Sequence, residues 1–218
     1  AEKFQLAVEA FGSGNAYKVE LFLRLLRLPY ETRAVNLRTN EHLSTAFLAR
    51  NRFGQIPVLV DGDVVLTDSH AILLYLAGRY AEYTSHAWAP LDPLCLARVA
   101  RWLSVSANEI QNGLAMPRAI KLLGWPLDYT QAVRAGYRIL KIMDDHLADR
   151  EWLALKHATI ADLACYPYVA LAAEGGVDTS SFGHVRRWLD SVEAIPGFWP
   201  MPRIPGLPAV PMVPVPVA

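Results

Sequence analysis

Phe4, Leu6, Val8 and Ala10 alternate with Gln5, Ala7 and Glu9, the period of a strand with one buried face. Gly12-Ser13-Gly14-Asn15 ends that strand. Val19, Phe22, Leu23 and Leu26 follow at i, i+3, i+4 and i+7, which gathers them on one side of a helix. Pro29 closes it, because proline cannot continue the hydrogen-bond ladder. A second strand is expected near Tyr30–Val35 and a short helix over 44–50. Ile56-Pro57-Val58-Leu59-Val60 and Val64-Val65-Leu66 flank Asp61-Gly62-Asp63, a hairpin in which glycine supplies the positive φ of the turn. Leu73, Leu76, Ala77 and Tyr80 return to helical spacing. Residues 1–80 therefore read β-α-β-α-β-β-α.

Residues 81–93 hold two prolines, two aromatics and no period, and read as a linker. From 94 to 195 only helical stripes occur. The first is Leu96, Val99, Ala100, Leu103, Ala107 and Ile110. The second is Val133, Tyr137, Leu140, Met143 and Leu147. The third is Val185, Trp188, Leu189 and Val192. The fold class is an α+β N-terminal domain followed by an all-α bundle. Residues 196–218 carry eight of the fifteen prolines, a density that forbids helix and favours extended chain. This tail is expected to lie on the protein's own surface or loose in solvent.

Composition removes several classes of function. Apolar residues make up 53% of the 218, and 21 basic side chains balance 21 acidic ones, so there is a core but no basic surplus for nucleic acid or for an anionic membrane. No apolar run is long enough to span a bilayer, and the first residues lack a signal-peptide pattern. Cys95 and Cys165 are too far apart in sequence for a metal or redox motif and read as buried thiols in a reducing compartment. The six histidines show no ligand spacing, so no metal is expected.

Candidate chemistry sits at helix starts. Ser13-Gly14-Asn15 opens the first helix, where free N–H groups favour an anion and where either polar side chain can also cap. No Cys-x-x-Cys stands there, which excludes dithiol chemistry. A cis bond at Ile56-Pro57 would turn the Ile56 backbone toward a peptide-like ligand. In Thr67-Asp68-Ser69, Ser69 can cap the third helix while Asp68 adds charge at its positive end, or the pair can receive a ligand's ammonium and carboxylate. Thr159-Ile160-Ala161-Asp162 has the spacing of a capping box and reads as structural. Pro167, inside the helix that follows, is expected to kink it.

Four motifs in order carry a family resemblance: Ser13-x-Asn15-x-x-Lys18-Val19, Asn51-x-x-Gly54-Gln55-Ile56-Pro57-Val58-Leu59, Asp68-Ser69-x-Ala71-Ile72 and Thr159-Ile160-Ala161-Asp162. Over residues 4–203 the chain resembles a glutathione S-transferase, of the bacterial serine type akin to the phi, theta and zeta classes. The resemblance implies a thioredoxin-like domain over 1–80 that binds glutathione as co-substrate. It implies a helical second-substrate domain over 94–195, a homodimer, and a cytoplasmic, detoxifying transferase. By position, Ser13 is the catalytic hydroxyl on the glutathione sulfur, with Asn15 as its backup. Ile56, held by a cis Pro57, pairs with the cysteinyl backbone. Gln55 and His42 meet the glycyl end, and Asp68 and Ser69 the γ-glutamyl end. Ile110, Leu114, Met116 and Trp125 are candidates for the apolar wall of the second-substrate site. Two positions depart from the family pattern: Leu43, where a lysine is common, and Arg52, where a proline is. Two other readings remain on the same fold, a non-catalytic scaffold or regulator and a glutathione-dependent isomerase, dehalogenase or peroxidase.

Overall fold

The computed structural model describes residues 4–8, 12–83, 87–202 and 210–214. The chain forms two compact units, Ala1–Ala89 with Pro196–Ile204, and Pro90–Ile195 with Pro205–Ala218.

The first unit is a four-stranded sheet with helices. Strand β1 (Phe4–Val8) leads through α1 (Gly14–Leu25) to β2 (Tyr30–Ala34), which pairs with β1 in parallel. Such a connection needs a crossover element, and α1 supplies it. After the short helix α2 (Thr45–Leu48), β3 (Val58–Asp61) and β4 (Val64–Thr67) form a hairpin through Gly62 at φ 57°. Strand order is β2-β1-β3-β4, with β3 antiparallel to both neighbours. Helix α3 (Ser69–Arg79) follows. Phe4 and Leu6 are buried while Gln5 is exposed, as the alternation predicts. Residues 9–11, where that expected strand ends, lie outside the described set. Val19, Phe22, Leu23 and Leu26 all face the core.

The expected linker is not featureless. Residues Ala81–Tyr83 form a 3-10 turn, and Trp88 is buried with its ring 5.3 Å from that of Phe22. Helix α4 (Pro93–Val105) starts inside the segment read as linker. Pro93 occupies the first turn, and the Asp92 carboxylate accepts from Cys95 N–H at 2.8 Å, the arrangement in which proline's missing N–H costs nothing.

The second unit is helical throughout its regular elements. A π-helical stretch, Ser106–Ala115, runs on from α4 into α5 (Met116–Leu123), and α6 (Tyr129–Leu147), α7 (Ile160–Ala170) and α8 (Gly183–Glu193) complete the bundle. The expected stripes on α6 and α8 are buried apart from Leu189, which is partly exposed. The stripe expected on α4 is wrong in part. Leu96 is 37% exposed and Ala100 and Ala107 face solvent, while Trp102 and Ser106 are buried. Beyond 105 the cause is the wider π turn, which shifts the inward face out of the 3.6-residue register. Gly113 and Gly136 let the π segment and α6 touch through backbone. A Cβ on Gly136 would stand 2.3 Å from the Gly113 carbonyl oxygen.

Thr159 and Asp162 form the expected capping box, and Asp162 does more than cap. Fully buried, it accepts from Thr159 N–H (2.9 Å), Thr159 Oγ1 (3.2 Å), Leu153 N–H (3.0 Å) and Trp188 Nε1 (2.9 Å). Helix α7 continues through Pro167 to Ala170.

The proline-rich end belongs to both units. Trp199 packs on the first: its carbonyl accepts from Tyr17 Oη at 2.6 Å, and the Arg24 guanidinium lies 4.2 Å from its ring. Val213 packs on the second, in a parallel bridge with Val177 and as acceptor for the Tyr137 hydroxyl.

Candidate functional site

The site starts from what Ser13 has left to give. Its backbone is extended (φ −77°, ψ 108°) and its Oγ accepts from Ala16 N–H at 3.3 Å, so it is the N-cap of α1. A hydroxyl that accepts through a lone pair keeps its hydrogen to donate, and Ser13 donates to no other group among the described residues. The first turn of α1 has no acidic residue, so no side chain of that turn neutralises the partial positive charge of the helix end. Asn15, one turn position on, is half-buried and its amide likewise has no partner among the described residues.

The second component is the loop before β3. Asn51 is buried and braces that loop: its Nδ2 donates to the Gln55 carbonyl at 2.6 Å, and its Oδ1 accepts from Phe53 N–H at 3.1 Å. Gly54 is required by conformation and by space. Its φ is +60°, and a Cβ there would meet Leu43 Cδ2 at 2.9 Å and the His42 carbonyl oxygen at 3.2 Å. The Ile56–Pro57 peptide is cis.

The third component is the start of α3, where the structure corrects the capping assignment. Asp68, not Ser69, is the N-cap. Its Oδ1 accepts from His70 N–H and Ala71 N–H, both at 2.9 Å. Two N–H groups converge on one carboxylate oxygen, so the other remains free for a ligand. Asp68 is exposed and sits at φ 70°, ψ 125°, a costly conformation for a side-chain-bearing residue and one that recurs at ligand sites. Ser69 is the first helical residue and is buried.

These parts enclose an open cavity of about 350 Å³ lined by Asn15, Asn51, Phe53, Gln55, Ile56, Pro57, Thr67, Asp68 and Ser69, within the range of roughly 300–1,000 Å³ typical of small-molecule sites. Six of the site positions expected from sequence thus converge: Asn15, Gln55, Ile56, Pro57, Asp68 and Ser69. Ser13 and His42 are not among the lining residues. Ser13 stands at the cap of the helix that carries Asn15. His42 lies half-buried on the turn under Gly54, its Nδ1 buried without a hydrogen-bond partner among the described residues. The sequence reading passed over Asn51 as a brace, although Asn51-x-x-Gly54 is a turn signature. It also passed over Phe53 and Thr67, which no local signal marks.

The proposed apolar wall fares differently. Ile110 and Leu114 are 0% exposed, so they offer a substrate no surface and serve the core. Leu114 Cδ2 packs against Gly136 on α6. Met116 is partly exposed and Trp125 is 46% exposed. Among the described residues no group of three or more His, Cys, Asp or Glu could hold a metal ion. Among the described residues no helix is long and apolar enough to cross a membrane.

Comparison with known proteins gives one answer. The glutathione S-transferase N-terminal domain family matches residues 7–78, and the C-terminal domain family matches residues 126–196. Glutathione S-transferase theta-2 of Homo sapiens is 36% identical over 154 residues, 66% of this chain and 62% of that protein. The chain thus spans a little under two thirds of the length of that relative. Glutathione S-transferase 3 of Zea mays is 33% identical over 198 residues, covering 85% of this chain and 87% of its own. A crystal structure of glutathione S-transferase from Pseudomonas fluorescens Pf-5 superposes with a TM-score of 0.84 at 32% identity, over 92% of this chain and 99% of the other. With a cavity assembled at two helix N-termini and both halves of the chain matched, the protein belongs to the glutathione S-transferase family.

Proposed function

We propose that the protein is a glutathione transferase that binds glutathione in the cavity of its first unit and activates the thiol as a thiolate for attack on a small hydrophobic electrophile. The observation that carries this reading is the convergence of Asn15, Gln55, Ile56, Asp68 and Ser69 on one cavity at the starts of α1 and α3. Asp68 has a free carboxylate oxygen for an ammonium, as the γ-glutamyl end requires, and Ser69 adds a hydroxyl. The Ile56 backbone pairs with the cysteinyl unit, while Gln55 and His42 meet the glycyl end.

A thiol of pKa ~8.5 is only about 3% ionised at neutral pH. Making thiolate the main form takes a shift of ~2 units, or ~2.7 kcal/mol. One charge-assisted hydrogen bond supplies ~1.5–3 kcal/mol and the helix end ~0.3–1 kcal/mol. The undonated Ser13 hydrogen and the uncompensated α1 terminus supply both. No general base is needed, because binding alone shifts the ionisation.

Asn15 lines the cavity where Ser13 does not, which keeps it as a second candidate for the sulfur contact. Thiolate ultraviolet absorbance of bound glutathione, followed against pH, separates the two. Ser13→Ala is expected to raise the bound thiol's pKa and cut conjugation at least tenfold. An unchanged pKa in that variant, with Asn15→Ala the damaging change, would move the role to Asn15.

The protein acts as a homodimer in the cytoplasm, in detoxification. Support for a covering partner comes from apolar side chains left open on the first unit: Phe53 (82% exposed), Val64, Val65 and Leu74. Sedimentation at micromolar concentration tests it, with a dimer mass expected.

A further inference from the structure

One part-buried polar contact joins the two helix starts of this site without taking part in the chemistry assigned above. Lys18 lies on the inward face of α1 and is 1% exposed, the one charged residue among otherwise uncharged buried neighbours on that helix. Its Nζ is 3.2 Å from Nε2 of His70 on α3, 52 residues further along the chain. An ammonium carries donors only, so Nε2 must be the acceptor. The ring is therefore neutral, with its hydrogen on Nδ1. Burial, and secondly the charge of Lys18, hold the His70 pKa down at about 4 against the opposing field of Asp68.

A buried ammonium is desolvated, and a methionine or leucine would fill the same space without that penalty. What the pair does offer is directional. Lys18 stands a little over one turn beyond the Ser13 cap and just under one turn beyond Asn15, and His70 immediately follows Asp68 and Ser69. One tripeptide has to reach both sets of groups at once, and an error of about 1 Å in such a spacing costs as much as 10²-fold in function.

We propose that the Lys18–His70 hydrogen bond is a positioning clamp that fixes the separation of the α1 and α3 N-termini, and with it the distance between the sulfur end and the γ-glutamyl end of the glutathione site. The clamp rests on the transferase reading above. Neither residue is among those lining the cavity, so each is a positioning residue. The acceptor must stay neutral. Lys18 from α1 and Asp68 from the β4–α3 junction are the charged groups that act on it, with opposite signs.

Calorimetric titration of the full chain with reduced glutathione, alongside thermal unfolding, tests the clamp in three variants. His70→Leu, which removes the acceptor, should weaken glutathione binding about tenfold or more. His70→Gln supplies an amide oxygen that can accept from Lys18, and should stay within about threefold of the parent. The double change Lys18→Met, His70→Leu removes the ammonium together with its acceptor, so it should lose less stability than His70→Leu yet keep the weakened affinity. That split separates positioning from stability, and it remains readable where His70→Leu alone does not fold. A double variant that binds glutathione like the parent would overturn the clamp while leaving the transferase reading in place. A parent protein that binds no glutathione would overturn both.

Discussion

Asp68 and Asp162 both cap helices by accepting backbone N–H bonds, and they differ in what remains afterwards. Asp162 is fully buried and takes four donors, from Thr159 twice, Leu153 and Trp188. Its hydrogen-bonding capacity is spent on the fold, and it ties the start of α7 to α8. Asp68 is exposed, holds an unfavourable φ and engages one oxygen only. The residue itself lines an open cavity. An acidic residue at a helix start is thus a folding element or a binding element according to how many of its acceptor sites the protein itself fills.

The sharpest way to break this contrast is to truncate each carboxylate. Asp162→Ala leaves four buried donors unpaired and should cost about 3–5 kcal/mol. At ~2–4 °C per kcal/mol for a chain of this size, chemical or thermal unfolding should detect a midpoint fall of roughly 6–20 °C. Asp68→Ala should cost only about 1 kcal/mol of stability as a lost cap, while glutathione affinity measured by calorimetry falls about tenfold, or ~1.4 kcal/mol. Equal stability losses in the two variants would remove the distinction.

Protonation gives a smaller effect. His70 has a folded pKa of about 4 against 6.5 for an unperturbed ring. The unfolded chain therefore binds more protons between those values, so stability rises with pH there and is lost as pH falls from 6.5 toward 4. Burial also lowers His146, which adds to the same slope. Subtracting the His70→Gln profile, measured by denaturant unfolding at each pH, isolates the His70 share, and no difference between the two profiles would contradict the neutral-acceptor assignment. The smallest change expected is the stability of Asp68→Asn. Its amide oxygen still caps α3, so unfolding should move by under about 0.5 kcal/mol, while glutathione binding weakens through the lost charge.

Legibility in the sequence followed the range of the interaction. Strand alternation at Phe4 and Leu6, the face of α1, the Gly62 hairpin and the Thr159–Asp162 box are all set within a few residues, and each could be read directly. The α4 stripe went astray first at Leu96 and Ala100, where Trp102 takes the buried place, and again at Ala107, where the helix widens beyond Val105 and no single-residue signal marks a π turn. At Thr67-Asp68-Ser69 two adjacent residues can cap. The choice of Asp68 depends on a backbone angle that its residue type does not announce. Ile110 and Leu114 read as a substrate wall because an apolar side chain looks the same in sequence whether it faces a cavity or α6. The brace from Asn51 and the contact between Lys18 and His70 depend on the finished fold. The first could be suspected from its turn motif, the second not at all.

The account stands most directly on the ligand of the first-unit cavity. Calorimetric titration of the purified full chain with reduced glutathione should give one site per chain with micromolar to low-millimolar affinity, weakened about tenfold in Asp68→Ala. No detectable binding by the parent protein would contradict the transferase reading and leave a member of this family whose cavity serves another partner.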